Sequence, residues 1–283
     1  KRLSKRFIRI IPKLDIKNGI LIKGINLEGL RVLGNPYKFA EYYAKNYADE
    51  ICYLDNVATL YGTNNLGTFI KKTASNLNIP LVVGGGIKSL DNIKKILEYG
   101  ADRVCLNSAI IKNPKLVNRA AKIFGSSTIT AIIEYTKIGK KYFTTFSNGR
   151  DLVDKDPVKW ATELEDMGAG EIVLTSVSHE GLRSGFEKKI TKLVSKKVKI
   201  PVIAHGGAGK YQDVYDIISS TNISGVSIAS LFHYDAIKSL KFSKQSIGNT
   251  DYLNNSSNTK GKSKNHLIKL KKFLKRKNIN VRI

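Results

Sequence analysis

The chain has 283 residues, 42% of them hydrophobic, and a formal charge of +25 from 48 Lys/Arg against 23 Asp/Glu. That length accommodates one large barrel or two ordinary domains, and the apolar fraction suffices for a sizeable core. Two cysteines rule out a disulfide framework, and no apolar run nears the roughly 20 residues of a membrane helix, so a cytoplasmic protein is expected.

The first residues, Lys1 to Arg6, are basic, and Phe7–Ile11 is too short for a signal-peptide core. From there short apolar β-type runs alternate with amphipathic helical patterns. The spacing predicts a strand at Ile8–Leu14, a helix at Pro36–Asn46, a strand at Ile51–Leu54 and a helix at Leu66–Leu77. Strand Leu81–Val83 and helix Ser89–Tyr99 follow, then Val104–Leu106 with Pro114–Phe124, and Thr128–Glu134 with Pro157–Met167. The last units are Ile172–Leu174 with Phe186–Lys196, Val202–Ala204 with Gln212–Ser219, and Val226–Ile228. Pro114 and Pro157 suit a first helical turn, where a missing N–H costs nothing. Cys52 and Cys105 each lie in a short apolar run and read as buried thiols. Eight strands alternating with helices predict a parallel sheet, and a closed (β/α)8 barrel fits them better than an open doubly wound sheet. The pattern breaks at Lys241–Lys264, where Asn254-Asn255-Ser256-Ser257-Asn258 has no apolar periodicity. That stretch reads as a flexible insertion in a single domain of residues 1–283, ahead of a last helix at His266–Lys277.

The positive charge is densest at the end, where 13 Lys/Arg stand against 2 Asp from Asp235 onward. Phosphorylated substrates, an acidic protein partner, nucleic acid or a Lys-, Asn- and Ile-rich coding bias each account for it. No zinc-ligand spacing and no aromatic-basic RNA motif supports nucleic acid, and nothing suggests a metal or a cofactor.

An internal repeat strengthens the barrel expectation. Ala48-Asp49-Glu50-Ile51 recurs as Ala169-Gly170-Glu171-Ile172, and Val83-Gly84-Gly85-Gly86 loosely as Ala204-His205-Gly206-Gly207, each 121 positions on. Val104-Cys105-Leu106-Asn107-Ser108 recurs as Val226-Ser227-Ile228-Ala229-Ser230, displaced by 122, and Asp15 and Glu134 differ by 119. Matches at nearly one offset imply two half-barrels of four βα units.

In such a barrel the active site lies at the C-terminal ends of the strands. Gly84-Gly85-Gly86 and Gly206-Gly207-Ala208-Gly209 fall there, where glycine lets backbone N–H groups approach an anion closely. Asn107-Ser108 and Ala229-Ser230 follow the neighbouring strands. The repeat puts two such phosphate sites on opposite sides of the mouth, which suits a substrate with a phosphate at each end. Between them stand Asp15 and Glu134, a pair able to serve as general acid and base, with proximity raising one pKa; the bland alternative pairs one of them with Lys23. At the other end Arg9, Glu50, Arg103 and Glu171 open strands one, two, four and six, and form either a structural salt-bridged layer or a gate. His233 reads as structural, and His205 as a candidate substrate contact.

These strings resemble the cyclase subunit of imidazole glycerol phosphate synthase, the HisF family. The resemblance is carried by Leu14-Asp15-Ile16-Lys17-Asn18-Gly19 with Lys23-Gly24, Val83-Gly84-Gly85-Gly86-Ile87, Gly100-Ala101-Asp102-Arg103-Val104, Phe124-Gly125-Ser126, Gly168-Ala169-Gly170-Glu171-Ile172 with Leu174-Thr175-Ser176, and Gly206-Gly207-Ala208-Gly209-Lys210. It covers nearly the whole chain apart from 241–264. The resemblance implies a glutamine amidotransferase in which a glutaminase subunit of the HisH type docks on the bottom of the barrel. Ammonia crosses the barrel and attacks a bisphosphorylated ribonucleotide, giving imidazole glycerol phosphate and an aminoimidazole carboxamide ribonucleotide. It assigns Asp15 as the first catalytic carboxylate and Lys23 as a holder of loop and substrate. Gly86, Asn107 and Ser108, with Glu180, Gly181, Gly207, Ala229 and Ser230, fall at substrate or phosphate positions. Arg9, Glu50, Arg103 and Glu171 match the ammonia gate, with Arg103 where Lys is usual.

Three departures surround the pocket. Glu134 stands where Asp is usual, and one extra methylene, about 1.5 Å, is a displacement that can cost roughly 100-fold. Ser178-His179-Glu180-Gly181-Leu182 replaces Asp-x-Asp-Gly-Thr, and His205 replaces Ser or Asp. Pro12-Lys13-Leu14-Asp15-Ile16-Lys17, Leu27-Glu28-Gly29-Leu30-Arg31-Val32-Leu33-Gly34, Leu60-Tyr61-Gly62 and Glu134 resemble the HisF-like proteins of surface-polysaccharide clusters. That branch implies ammonia supply to a sugar amidotransferase, with cyclase chemistry reduced or lost. A catalytically idle docking barrel and a phosphosugar isomerase are the remaining expectations.

Overall fold

The computed structural model describes residues 6–26, 28–55, 65–240 and 264–283. The Leu60-Tyr61-Gly62 string and all but the last residue of the expected insertion at 241–264 lie outside them. Eight parallel strands close on themselves: β1 (Arg9–Lys17), β2 (Ile51–Asp55), β3 (Leu81–Gly84), β4 (Arg103–Leu106), β5 (Ile129–Ile138), β6 (Glu171–Ser176), β7 (Val202–His205) and β8 (Gly225–Ile228). One helix follows each: α1 (Pro36–Lys45), α2 (Asn65–Ala74), α3 (Leu90–Glu98), α4 (Lys115–Phe124), α5 (Pro157–Asp166), α6 (Lys188–Lys197), α7 (Tyr211–Ser220) and α8 (His266–Arg276). The fold is the expected (β/α)8 barrel. No helix among the described residues is long and apolar enough to cross a membrane.

The strands are apolar along both faces because both are covered. Alternate residues point outward, where Ile10, Leu14, Tyr53 and Val83 pack with Phe39, Tyr43 and Trp160 of the helices. The others point inward, where Ile11, Cys52, Val82, Cys105, Ile132, Val173 and Ile203 form a second, separate core. Helix starts follow their local chemistry. Asn35 caps α1 by accepting from Tyr37 N at 2.9 Å, and Asp156 caps α5 by accepting from Val158 and Lys159 N at 2.8 and 3.0 Å. Pro36 and Pro157 sit in those first turns. Pro114 falls one place earlier than expected, as the residue before α4.

The pairing registers order the interior into levels. Neighbouring strands step by about one residue around the barrel, so each level takes four residues from alternate strands. Glu50, Arg103, Glu171 and Gly225 share the lowest level, with Arg9 just below Gly225. Above come Ile11, Val82, Thr130 and Ile203, then Cys52, Cys105, Val173 and Ser227, then Lys13, Gly84, Ile132 and His205. Leu54, Asn107, Thr175 and Ala229 follow, and the top level is Asp15, Gly86, Glu134 and Gly207.

The half-barrel relation extends beyond the strands. β1 and β5 each overrun the barrel into an antiparallel hairpin, Ile20–Ile25 with Glu28–Gly34 in the first half and Lys141–Phe146 with Asp151–Val153 in the second. β4 and β8 each lead into a short helix, Ser108–Lys112 and Ser230–Ala236.

The β2–β3 contact predicts a contrast between two glycines. Gly85 has φ +102° and a Cβ there would run into the Asp55 carbonyl, whereas Gly139, φ +59°, has open space around it. Gly139→Ala pays only the left-handed backbone penalty of about 1 kcal/mol, and Gly85→Ala adds a backbone displacement for a loss of about 3 kcal/mol or more. Urea unfolding midpoints of the two variants measure the difference.

Candidate active site

Asp15 and Glu134 face one another from β1 and β5 on the top level, each at the point where its strand leaves the barrel for a hairpin. Register pairs Asp15 with Ile22 and Glu134 with Thr145. Both are buried. Lys13, two residues earlier on the same inward face, donates to Asp15 Oδ1, while the Lys23 ammonium is engaged by Glu180. Lys13 is 3% exposed and was not among the candidates read from the sequence. Its signal was its position in an apolar strand in phase with Asp15, since a lysine there needs an anion on the same face. Burial alone would raise the Asp15 pKa, but Lys13 and then Lys23 outweigh it and hold the carboxyl below its ordinary value. For Lys13, burial is likewise outweighed by Asp15 and Glu180, and its pKa is raised.

Glu134 behaves in the opposite way. Burial pushes its pKa up to about 7, against the stabilising bonds it accepts. Asn107 Nδ2 donates to Oε1 and Gly149 N to Oε2, each at 2.8 Å. The two pKa values are split as expected, but the main cause is desolvation, with the Asp15 charge a minor contributor.

Lys23 is engaged with Glu180, whose oxygens lie 2.8 and 3.0 Å from its Nζ, and it also donates to the Gly24 carbonyl at 2.6 Å. Asn26 N donates to the Glu180 carbonyl at 2.8 Å. The first hairpin is thereby tied to the loop after β6, and two residues expected at the substrate hold each other in this structure. Gly181, φ +77°, fits here because a Cβ would meet the Gly24 carbonyl.

The second half-barrel forms a small cavity lined by Gly181, Gly207, Ala229 and Ser230, with Arg183 and His205 at its walls. Gly207 has φ +106°, and its carbonyl accepts from Gly185 N at 2.8 Å, an approach that leaves no room for a Cβ. Arg183, which sequence reasoning missed, adds a guanidinium at this cavity. In the first half, Gly85 and Gly86 also have positive φ. There Asn107 is spent on Glu134, and Ser108 Oγ accepts from Ser147 N at 3.3 Å. The halves are similar in backbone and different in side chains.

The histidines divide as expected in part. His233 is fully buried between Tyr43 OH, 2.6 Å from Nδ1, and the Lys13 carbonyl, 2.8 Å from Nε2; burial depresses its pKa to about 3. His205 Nδ1 donates to the Ser227 carbonyl at 2.8 Å, and its Nε2 lies 3.8 Å from Glu180 Oε1. Burial, then Lys13, lowers its pKa to about 4.

At the bottom, Arg9, Glu50, Arg103 and Glu171 close a ring. Arg9 Nη1 reaches Glu50 at 3.1 Å and Nη2 reaches Glu171; Arg103 Nη1 reaches Glu171 at 2.7 Å and Nη2 reaches Glu50. Each arginine touches both glutamates. Gly225 makes the ring fit, since a Cβ there would meet the Arg9 backbone and side chain.

The profile of the histidine biosynthesis protein family matches residues 9–238. Among curated proteins, the chain is 47% identical over 207 residues to imidazole glycerol phosphate synthase subunit HisF of Legionella pneumophila, covering 73% of this chain and 98% of that protein. It is 43% identical over 230 residues to the HisF subunit of a Hydrogenobaculum species, with 81% and 91% covered, and 42% identical over 236 residues to that of Sulfolobus acidocaldarius, with 83% and 94% covered. With this barrel and this match over most of its length, the chain belongs to the histidine biosynthesis protein family, as a homologue of the HisF subunit of imidazole glycerol phosphate synthase.

Proposed function

We propose that the chain is the ammonia-using synthase subunit of a glutamine amidotransferase, cyclising a bisphosphorylated ribonucleotide to imidazole glycerol phosphate with release of an aminoimidazole carboxamide ribonucleotide. The observation that carries the reading is the top level of the barrel, where Asp15 and Glu134 face each other with Gly86 and Gly207 between them. Gly86, Asn107 and Ser108 hold one phosphate of the substrate; Gly181, Gly207, Ala229 and Ser230 hold the other, with Arg183 beside them. Lys23 and Glu180 clasp the first hairpin over the substrate. Glu134 keeps a proton near neutrality and gives it to the departing nitrogen, while ionised Asp15 takes one from the attacking ammonia. A HisH-type glutaminase docks on the N-terminal face, and the ring of Arg9, Glu50, Arg103 and Glu171 is the gate its ammonia passes.

A second reading has a specific observation in its favour. Lys13 occupies one oxygen of Asp15, which takes that carboxylate out of free acid-base exchange. In this reading the barrel conducts ammonia to a sugar amidotransferase of surface-polysaccharide assembly, and cyclisation is reduced.

Three measurements bear on these readings. Purified protein given the bisphosphorylated ribonucleotide and an ammonium salt releases the aminoimidazole product, and Asp15→Asn lowers that rate by about 100-fold or more; a wild-type rate at background removes the cyclase reading. If Lys13→Met turns over faster than wild type, the second reading gains; under the first it loses at least about tenfold, because the buried Asp15 carboxylate loses the ammonium bonded to it. The third concerns pH. The folded pKa of Glu134, about 7, exceeds its ordinary 4.5, so the folded state binds an extra proton between those values and loses stability as pH rises through that window. Glu134→Gln lacks this loss, so its melting temperature relative to wild type climbs from pH 4.5 to pH 7. A constant difference across that range refutes the assignment.

A further inference from the structure

The positive charge at the end of the chain is concentrated on α8, whose Lys269, Lys271, Lys272, Lys275 and Arg276 are accompanied by no acid. Leu267, Leu270 and Leu274 bury one face of the helix against the barrel. Lys271 is buried with them and paired with Asp49 at 2.8 Å. Lys269, Lys272 and Arg276 stand exposed at spacings of three and four, which puts them in one stripe. Among the described residues none of these three meets a carboxylate. The two acids of the neighbouring α7 are already taken. Asp213 accepts from the backbone N–H groups of Gly209 and Lys210 at 3.0 and 2.8 Å. Asp216 accepts from Lys188 at 2.8 Å and from Gln212 at 2.6 Å.

Beside that stripe, α7 and α8 leave a groove of about 420 Å³, walled by Tyr211, Ile268 and Phe273 and flanked by Lys269, Lys272 and Arg276. The three wall residues are half-buried, and the Tyr211 and Phe273 rings pack at 5.9 Å between centroids. Tyr211 OH is spent on His266 Nδ1 at 2.5 Å, so the ring offers the groove carbon. Long basic side chains lend their methylene stems to such a wall and keep their charged heads in water. The volume is in the range that takes a small molecule, roughly 300–1,000 Å³.

We propose that this groove binds a soluble single-chain anionic amphiphile, with its apolar chain along Tyr211, Ile268 and Phe273 and its phosphate or carboxylate head on Lys269, Lys272 and Arg276. Charge and surface decide the class together. An uncharged apolar ligand leaves three unneutralised cations beside it, and a small inorganic anion leaves the apolar walls in water. An anionic head on an apolar chain answers both. Shape selects a single chain over a bilayer. A membrane surface is met by projecting apolar side chains, whereas these three lie recessed between two helices. The groove is on the outer wall of the barrel, and its occupation does not depend on the reaction proposed above.

Calorimetric titration of the full chain with dodecyl phosphate, kept below its micelle concentration, tests the proposal. The expected result is one molecule bound per chain, with octyl phosphate at least about tenfold weaker because fewer methylenes are buried. Reversing the stripe with Lys272→Glu and Arg276→Glu, both exposed positions, weakens dodecyl phosphate by at least about tenfold. The same change of charge on α4, across the barrel, with Arg119→Glu and Lys122→Glu, leaves the affinity within about twofold, since distant surface charges are screened. No binding, several molecules per chain, equal affinity for the octyl and dodecyl chains, or an equal loss in the α4 variant overturns the proposal. So does inorganic phosphate or dodecyltrimethylammonium binding as tightly as dodecyl phosphate. Anionic vesicles that capture the chain through the α8 stripe overturn it in favour of a membrane. The comparison of chain lengths uses the unaltered protein, so it decides the matter even where the α8 variant does not fold.

Discussion

Closure with a one-residue step between neighbouring strands is the constraint from which the rest of this molecule follows. Because side chains alternate, closure commits every second residue of every strand to one shared interior, and the step decides which of them meet. Asp15 and Glu134 are far apart in the chain and on strands that never touch, yet they share a level with Gly86 and Gly207. A slip of one residue in β1 would send Asp15 and Lys13 outward among the helices and bring Leu14 inward. The site is thus a consequence of register.

The interior carries more charge than an apolar core tolerates, and each charge is paired. At the bottom the pairing is circular, so losing any one member strands two partners; a broken buried pair costs about 3–5 kcal/mol. At the top the pairing is directional. Lys13 takes Asp15, Lys23 takes Glu180, and Glu134 is left with neutral donors alone. That asymmetry makes one carboxylate an anion and the other an acid near neutrality. His233 belongs to the same design. With a pKa near 3 it stays neutral, links α1 to the Lys13 carbonyl, and so fixes the stretch of β1 that bears the Lys13–Asp15 pair.

The barrel was legible because its signals are repeated: eight apolar runs, seven helices between them with an eighth at the end, and one offset near 121. The hairpins after β1 and β5 were not, because Ile20–Ile25 and Lys141–Phe146 are short and read as loop without their partner strands. The helices Ser108–Lys112 and Ser230–Ala236 are too short for periodicity to register. Ring residues could be picked from the starts of strands, since the face each points to is fixed by alternation. Lys13 has no mark of its own in the sequence, because it lies inside the first strand rather than after it and its role depends on lying one level beneath Asp15. Arg183 escaped because a left-handed residue in an exposed loop, φ +60°, has no periodic signature.

Glutamate at position 134 raised the question of whether a longer side chain leaves its carboxylate loose. Both oxygens are fixed, one by Asn107 and one by the backbone of Gly149. Gly149 lies between the strands of the second hairpin, packed so closely on Val177 that a Cβ would collide with its methyl groups. The hairpin therefore supplies the donor that an acidic side chain of this reach requires. The extra methylene is absorbed by a matched backbone position, and the carboxylate's high pKa arises from the depth at which that match places it.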